Sequence, residues 1–239
     1  MTIRFRSHQE RKSAREPRHA GLRSILYILF ALSVSACTGV SLYSIDLRYD
    51  AAHTIPTVKQ TSHKFFITVT RFNDERSTDD KTLIGHVVTS DGRRIPVLPK
   101  FVTPGDAVTR AFKDYLTRSG YNVSKVMPVW DLREDAINPE WGKVVIGGTI
   151  DALDIECIKT TPIRTYRAKA KFTFIVASVE DRRILYRISV ESNPSLEHIR
   201  FSEEKLEEVI NDALSTAVNK IFESTDVHRK IMDVAEGIM

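Results

Sequence analysis

Val144-Val145-Ile146-Gly147-Gly148-Thr149-Ile150-Asp151-Ala152-Leu153-Asp154-Ile155-Glu156-Cys157 decides the fold. Val144, Ile146, Gly148 and Ile150 alternate on even numbers, which is the period of a strand with one buried face. After Ala152 the phase slips, and Leu153, Ile155 and Cys157 continue on odd numbers. A slip of one residue would turn every side chain to the wrong face unless a β-bulge absorbs it, so a bulge is predicted here. Downstream, Ala168, Ala170, Phe172, Phe174 and Val176 alternate against Arg167, Lys169, Lys171 and Thr173. Glu180-Asp181 forms a turn, and Tyr186, Ile188 and Val190 make a third strand. Short connections predict an antiparallel meander.

The segments on either side complete a domain. Ser202 is an N-cap with Glu203 and Glu204 in the first turn, where carboxylates complement the positive helix end. Leu206, Val209, Ile210, Ala213, Leu214, Ala217, Val218, Ile221 and Phe222 then keep the spacing of one apolar helix face, to around Glu223. A short helix is expected over Val227–Ala235. Before the meander, Thr103-Pro104-Gly105-Asp106 opens a helix with Val108, Ala111, Phe112, Tyr115 and Leu116 on one face, ended by Gly120 at a left-handed position. Phe65, Ile67 and Val69 form an early strand. Leu83–Val88 and Arg94–Leu98 are short strands around the hairpin signal Asp91-Gly92. The expected fold class is α+β: an antiparallel sheet in β-β-α-β-β-β-α order, with two amphipathic helices packed on one face.

The N-terminus carries a different message. Seven Lys/Arg precede the ten-residue apolar run Ile25–Val34. That run is half the ~20 residues a membrane span needs, and it suits the core of a signal peptide. Val34-Ser35-Ala36-Cys37 then reads as small residues before a cleavage point, followed at once by cysteine, in the manner of a bacterial lipobox. The organisation expected is a lipoprotein signal peptide over 1–36, a lipidated N-terminus and tether over 37–63, and a single periplasmic α+β domain over 64–239. Leu42–Leu47 is a candidate short strand within the tether. An ordinary signal peptide cut nearby is the alternative.

Charge follows from the leader. Seven Lys/Arg and two Asp/Glu lie before Cys37, so the 35 and 31 of the whole chain become 28 and 29. The mature chain thus lacks the basic footprint of a nucleic-acid binder, and no nucleic-acid partner is expected. Cys157 stands alone once Cys37 carries lipid, and is read as a buried apolar residue.

The lipobox, the strand leading to Asp74-Glu75-Arg76, the helix ending Arg118-Ser119-Gly120-Tyr121-Asn122-Val123, the strand Val144–Ile150, the strand with Tyr166-Arg167-Ala168-Lys169-Ala170 and the long C-terminal helix occur in a familiar order. Together they resemble the YajG-like lipoproteins, a family of envelope proteins without a settled function. The resemblance implies lipidation of Cys37 and offers no catalytic residue. This chain departs from the family pattern in its extended n-region and in residues 124–142, which look longer than the usual connection.

Candidate sites are few. Cys37 is the lipidation site, and Thr38 after it leans toward the outer membrane in the enterobacterial sorting scheme. Arg167, Lys169 and Lys171 project from one sheet face and could meet lipid phosphates or an acidic partner, although an ordinary solvated face is the favoured reading. Trp130 and Trp141 flank an acidic loop, as a binding hot spot or as packing of a long loop onto the core. Asp74 and Arg76 are read as a local ion pair. Histidines are scattered and no glycine-rich phosphate loop occurs, so neither a metal nor a cofactor is expected. The leading expectation is a lipid-anchored, non-catalytic binding or assembly module facing the periplasm, joined to the membrane through acyl chains and to an envelope protein partner. The alternatives are an envelope enzyme whose site is assembled from distant residues and a passive link from membrane to cell wall.

Overall fold

The long hairpin predicted by the alternation is the spine of the molecule. A computed structural model describes residues 41–50 and 65–237. Strand β6 (Val144–Lys159) and strand β7 (Arg164–Ser178) pair antiparallel along their whole length. Their register shifts between Ile150 and Ala152, so the bulge lies where the sequence phase slips. Strand β8 (Arg183–Ser192) continues the meander on β7.

Short strands then line both edges of this hairpin in tandem. Along β6 run β2 (Ile67–Val69), β3 (Asn73–Asp74) and β4 (Gly85–Val88), all parallel to it. Strand β5 (Arg94–Pro99) returns antiparallel on β4, and β1 (Tyr43–Ile45) pairs parallel with β5. On the other side, β9 (Ser195–His198) adds to β7 beyond the end of β8. Among the described residues the sheet has nine strands and is mixed, which corrects the expectation of a purely antiparallel sheet. Parallel pairing arises because β2, β3 and β4 approach β6 from chain crossovers rather than from hairpins. The expected element order also counted five strands where the described residues have nine, with β3 and β9 among those it omitted.

Helices α1 (Pro104–Arg118), α2 (Glu203–Glu223) and α3 (Thr225–Glu236) cover one face; α3 is the short helix expected over Val227–Ala235, which the two-helix order had left out. Thr103 caps α1 by accepting from the Asp106 amide, and Ser202 caps α2 by accepting from that of Lys205. Gly120 follows α1 at φ 91°, where a side chain would be strained. Phe112 is the centre of the core. It stacks on Phe72 at 4.5 Å and meets Phe172, Phe174 and Phe222 within 6.3 Å. Gly148 makes room for this cluster, since a Cβ there would overlap Phe72 and the Thr173 carbonyl.

Two segments read as connections belong to the domain. The first is 41–50, part of the stretch read as tether. Beyond β1 it lies along α2. The Asp46, Arg48 and Asp50 amides donate to Glu207, Asn211 and Ser215, which repeat every four residues on one helix face. Ile45, Leu47 and Tyr49 are buried. The second is the 124–142 connection, which covers the far face of the sheet. Trp130 and Ile137 bury themselves there on Val145, Ile175, Ala177 and Val179. No helix among the described residues is long and apolar enough to cross a membrane.

Candidate functional site

The β3 strand and the start of α1 are tied together by side chains, and a cleft opens between them. The Phe72 amide donates to Thr109 Oγ1 at 3.0 Å, and that hydroxyl donates to the Gly105 carbonyl at 2.6 Å. Across from them, the end of β5 brings in Leu98 and Pro99. The cleft measures about 460 Å³. Phe72, Leu98, Pro99, Val102 and Pro104 supply its apolar wall, with Arg71, Asn73, Asp74 and Lys81 at the polar rim.

The rim's charges are already engaged. Arg71 Nε lies 2.9 Å from Asp106 Oδ1. Lys81 donates to the Arg76 carbonyl. Asp74 receives two hydrogen bonds from Arg76, at 2.8 and 2.7 Å. Partial burial pushes the Asp74 carboxyl up, but the hydrogen bonds and charge of Arg76 outweigh it and hold the group below its ordinary value. The expected local ion pair is therefore present, and it is more than local. Arg76 also donates to the carbonyls of Lys81, Leu83 and Leu153, so all five guanidinium N–H groups are used. This closes the loop from Glu75 to Leu83 over the end of the cleft.

Phe101 stands in the turn between β5 and α1, next to the lining residues Pro99 and Val102. It is fully exposed and has φ 58°. A bulky side chain in left-handed backbone is strained by about 1–2 kcal/mol, and nothing here buries the ring in return. Backbone strain of this kind concentrates at ligand clamps. Chemically, the cleft can take an apolar side chain or an alkyl group, and Phe101 stands exposed beside it.

A smaller cleft of about 180 Å³ lies beyond Arg76, between Leu83–His86 and Asp151–Asp154. Burial pushes the Asp154 carboxyl up, against the pull of His86 and with a further push from Glu156. Asp151 accepts from Thr149 at 2.7 Å and from Thr173 at 2.8 Å.

The residues singled out in the sequence lie elsewhere. Cys37 is outside the described residues. Trp130 is 1 % exposed, donates to the Arg133 carbonyl at 2.8 Å and meets Trp141 edge to face at 6.4 Å. The tryptophans thus hold the 124–142 segment onto the far face of the sheet. Arg167, Lys169 and Lys171 share that face further along β7, but opposite acids: Arg167 sits across from Glu156, and Lys169 pairs with Glu191 at 3.2 Å. Asn193 and Lys169 hold the Glu191 carboxyl low. Neither group meets the cleft. Cys157 is fully buried, and burial pushes its thiol up to about 11. Among the described residues, no three of His, Cys, Asp and Glu are grouped to hold a metal. The cleft itself escaped the sequence because its wall comes from 71–74 and 98–105. One signal was present: the apolar pair Phe101-Val102, set between Pro99 and the helix cap Thr103.

No family model matches the chain, and no curated protein matches it. Similar solved structures include a Xanthomonas campestris protein of the DUF330 family (8 % identity, TM-score 0.45, covering 76 % of this chain and 92 % of that one). A putative neuraminyllactose-binding hemagglutinin homolog from Helicobacter pylori aligns over 82 % of this chain and 100 % of its own, at 11 % identity and TM-score 0.40. Lipoprotein GNA1162 from Neisseria meningitidis aligns over 66 % and 99 %, at 15 % identity and TM-score 0.33. At these scores the likenesses assign neither a family nor an activity, and the YajG-like resemblance remains one of sequence motifs.

Proposed function

We propose that this chain is a cell-envelope lipoprotein, anchored through Cys37, whose domain binds an apolar group of an envelope partner in the cleft before α1. It acts as an assembly or accessory module rather than as an enzyme, on the periplasmic side and at the outer membrane. The observation that carries this reading is the cleft: an apolar wall, rim charges committed to one another, and an exposed, strained Phe101 at its lip. Such a site is suited to holding a ligand in place. The enzymatic alternative has one feature in its favour, the raised Asp154 carboxyl beside His86 in the smaller cleft.

The test is fractionation and copurification. Membranes carrying the tagged full chain are solubilised after light crosslinking and compared with Cys37→Ala. The proposal expects acylated protein in the outer-membrane fraction with a stoichiometric partner, and loss of both attachment and partner in the variant. Unchanged membrane attachment and labelling in Cys37→Ala would reject the anchor. Acylated protein clean of any partner would reject the binding role.

A further inference from the structure

The described chain enters the fold at one end of the β6–β7 hairpin. Leu42 precedes Tyr43, whose hydroxyl accepts from Lys159 Nζ at 3.0 Å. Lys159 Nζ also stands 3.4 Å from the centre of the Phe201 ring, and that ring lies 5.0 Å from Tyr43. Lys159 is paired with Arg164, and Arg164 with His198. The aromatic and cationic knot of Tyr43, Lys159 and Phe201 is therefore bordered by Leu42, by Ile163 just before Arg164, and by Ile199 just after His198. These three aliphatic side chains are 52 %, 42 % and 74 % exposed.

Charge at this end favours an anionic surface. Arg93 is paired with Asp91 at 2.7 Å and Arg94 approaches Glu156 at 3.8 Å. Arg164 and Arg200 have no carboxylate within ion-pair distance among the described residues, and Lys159 faces the aromatic rings. Glu197, opposite Thr165, is the acid on β9, while Glu203 and Glu204 follow Phe201 in the first turn of α2, where Ser202 and the helix end engage Glu204 and Lys100 faces it. Exposed aliphatic groups, a tyrosine hydroxyl and arginines without a carboxylate partner together are what the headgroup boundary of a bilayer accommodates.

Chain length places this end beside the anchor. Cys37 is five residues before Leu42, and five extended residues span at most ~18 Å. Had 38–63 been free throughout, its reach would have been roughly 80 Å. Because 43–50 is docked on β5 and α2, the domain has no such slack. We propose that the end of the domain bearing Leu42, Ile163 and Ile199 rests on the anionic bilayer surface that holds the acyl chains of Cys37. The inference rests on the anchoring reading above, and adds an orientation to it. The cleft before α1 is then presented on a domain standing by one end on the membrane instead of on a long leash.

The test uses the full chain, purified from membranes and reconstituted into phosphatidylcholine vesicles with and without phosphatidylglycerol. An environment-sensitive nitrobenzoxadiazole probe is attached at Ile163→Cys or Ile199→Cys. Val126→Cys, which is exposed beside β2 and roughly 40 Å away along the sheet, is the control. Buried Cys157 stays unlabelled, and intact mass reports whether Cys37 is acylated. Expected are a blue shift and several-fold protection from an aqueous quencher at 163 and 199, stronger with phosphatidylglycerol, and neither at 126. In acylated protein, equal quenching at all three positions would overturn the proposal. If mass shows Cys37 unmodified, the anchor reading fails by itself. Protection at 163 and 199 on phosphatidylglycerol vesicles would still support the surface, and its lack there would overturn it.

Discussion

Replacing Arg76 with methionine should cost the domain about 3–5 kcal/mol, the range for removing one partner of a buried ion pair. The figure follows from where its donors go. Arg76 is 5 % exposed, and its five N–H groups reach Asp74, the carbonyls of Lys81 and Leu83 in the covering loop, and that of Leu153 in β6. In the methionine variant the Lys81 carbonyl can turn to water, but Leu153 is buried and Asp74 loses its counter-charge. Each orphaned buried acceptor costs about 1–3 kcal/mol, and the terms overlap. Arg76→Lys keeps one charge and loses the fork, so it should cost about 1–3 kcal/mol. For a domain of this size the methionine variant's Tm should fall by roughly 6–20 °C. Thermal and urea unfolding of the full chain, with Asp74→Asn and the double variant, completes a cycle. Because Asp74 titrates below its ordinary value when folded, its share of the stability is present above pH ~3.8 and is lost as pH falls through the depressed value. An Arg76→Met variant within about 1 kcal/mol of the parent would refute the claim that this guanidinium holds the loop over the cleft.

Other expectations can be checked on the same preparations. Phe101→Gly should leave stability unchanged or raise it by up to about 1 kcal/mol, because it relieves left-handed backbone strain, while partner capture is lost. A clear destabilisation in urea would mean that the ring is already packed. His228 accepts or donates at Tyr121 Oη across 2.8 Å, and burial lowers its pKa below 6.5. The unfolded state then binds more protons than the folded one below pH 6.5, so stability should decline as pH falls through that window. His228→Gln should flatten the decline, and an unchanged slope would contradict it. Cys157 should resist maleimide in the folded protein at pH 8 and react fully in denaturant, since its thiol is buried and pushed to about 11. Rapid labelling without denaturant would contradict that.

The sheet's spine was legible because period-two alternation over many residues has one structural meaning, and the bulge showed as a change of phase. Caps at Thr103 and Ser202 were readable for the same local reason. The mixed sheet was not. β2 and β3 are three and two residues long and pair with a strand some 75 positions away, a relation no local pattern encodes. β9 carries one apolar residue, Leu196, so it shows no alternation. The 124–142 segment looked like a loop awaiting a ligand because tryptophan marks hot spots and cores alike. Only the fold shows that Gly147 leaves the far face open enough for Trp130 to lie on it. The tether was overextended because the anchors of 43–50 are backbone amides, meeting side chains of α2 more than 160 positions away.

The most direct measurement places a photo-crosslinking amino acid at Phe101 of the full chain in living cells, with Lys125 as an exposed control. A binding module with its site before α1 predicts one discrete crosslinked partner from position 101, none from 125, and loss of the product in Cys37→Ala. No product at 101 from membrane-anchored protein, or the same products from both positions, would contradict the account.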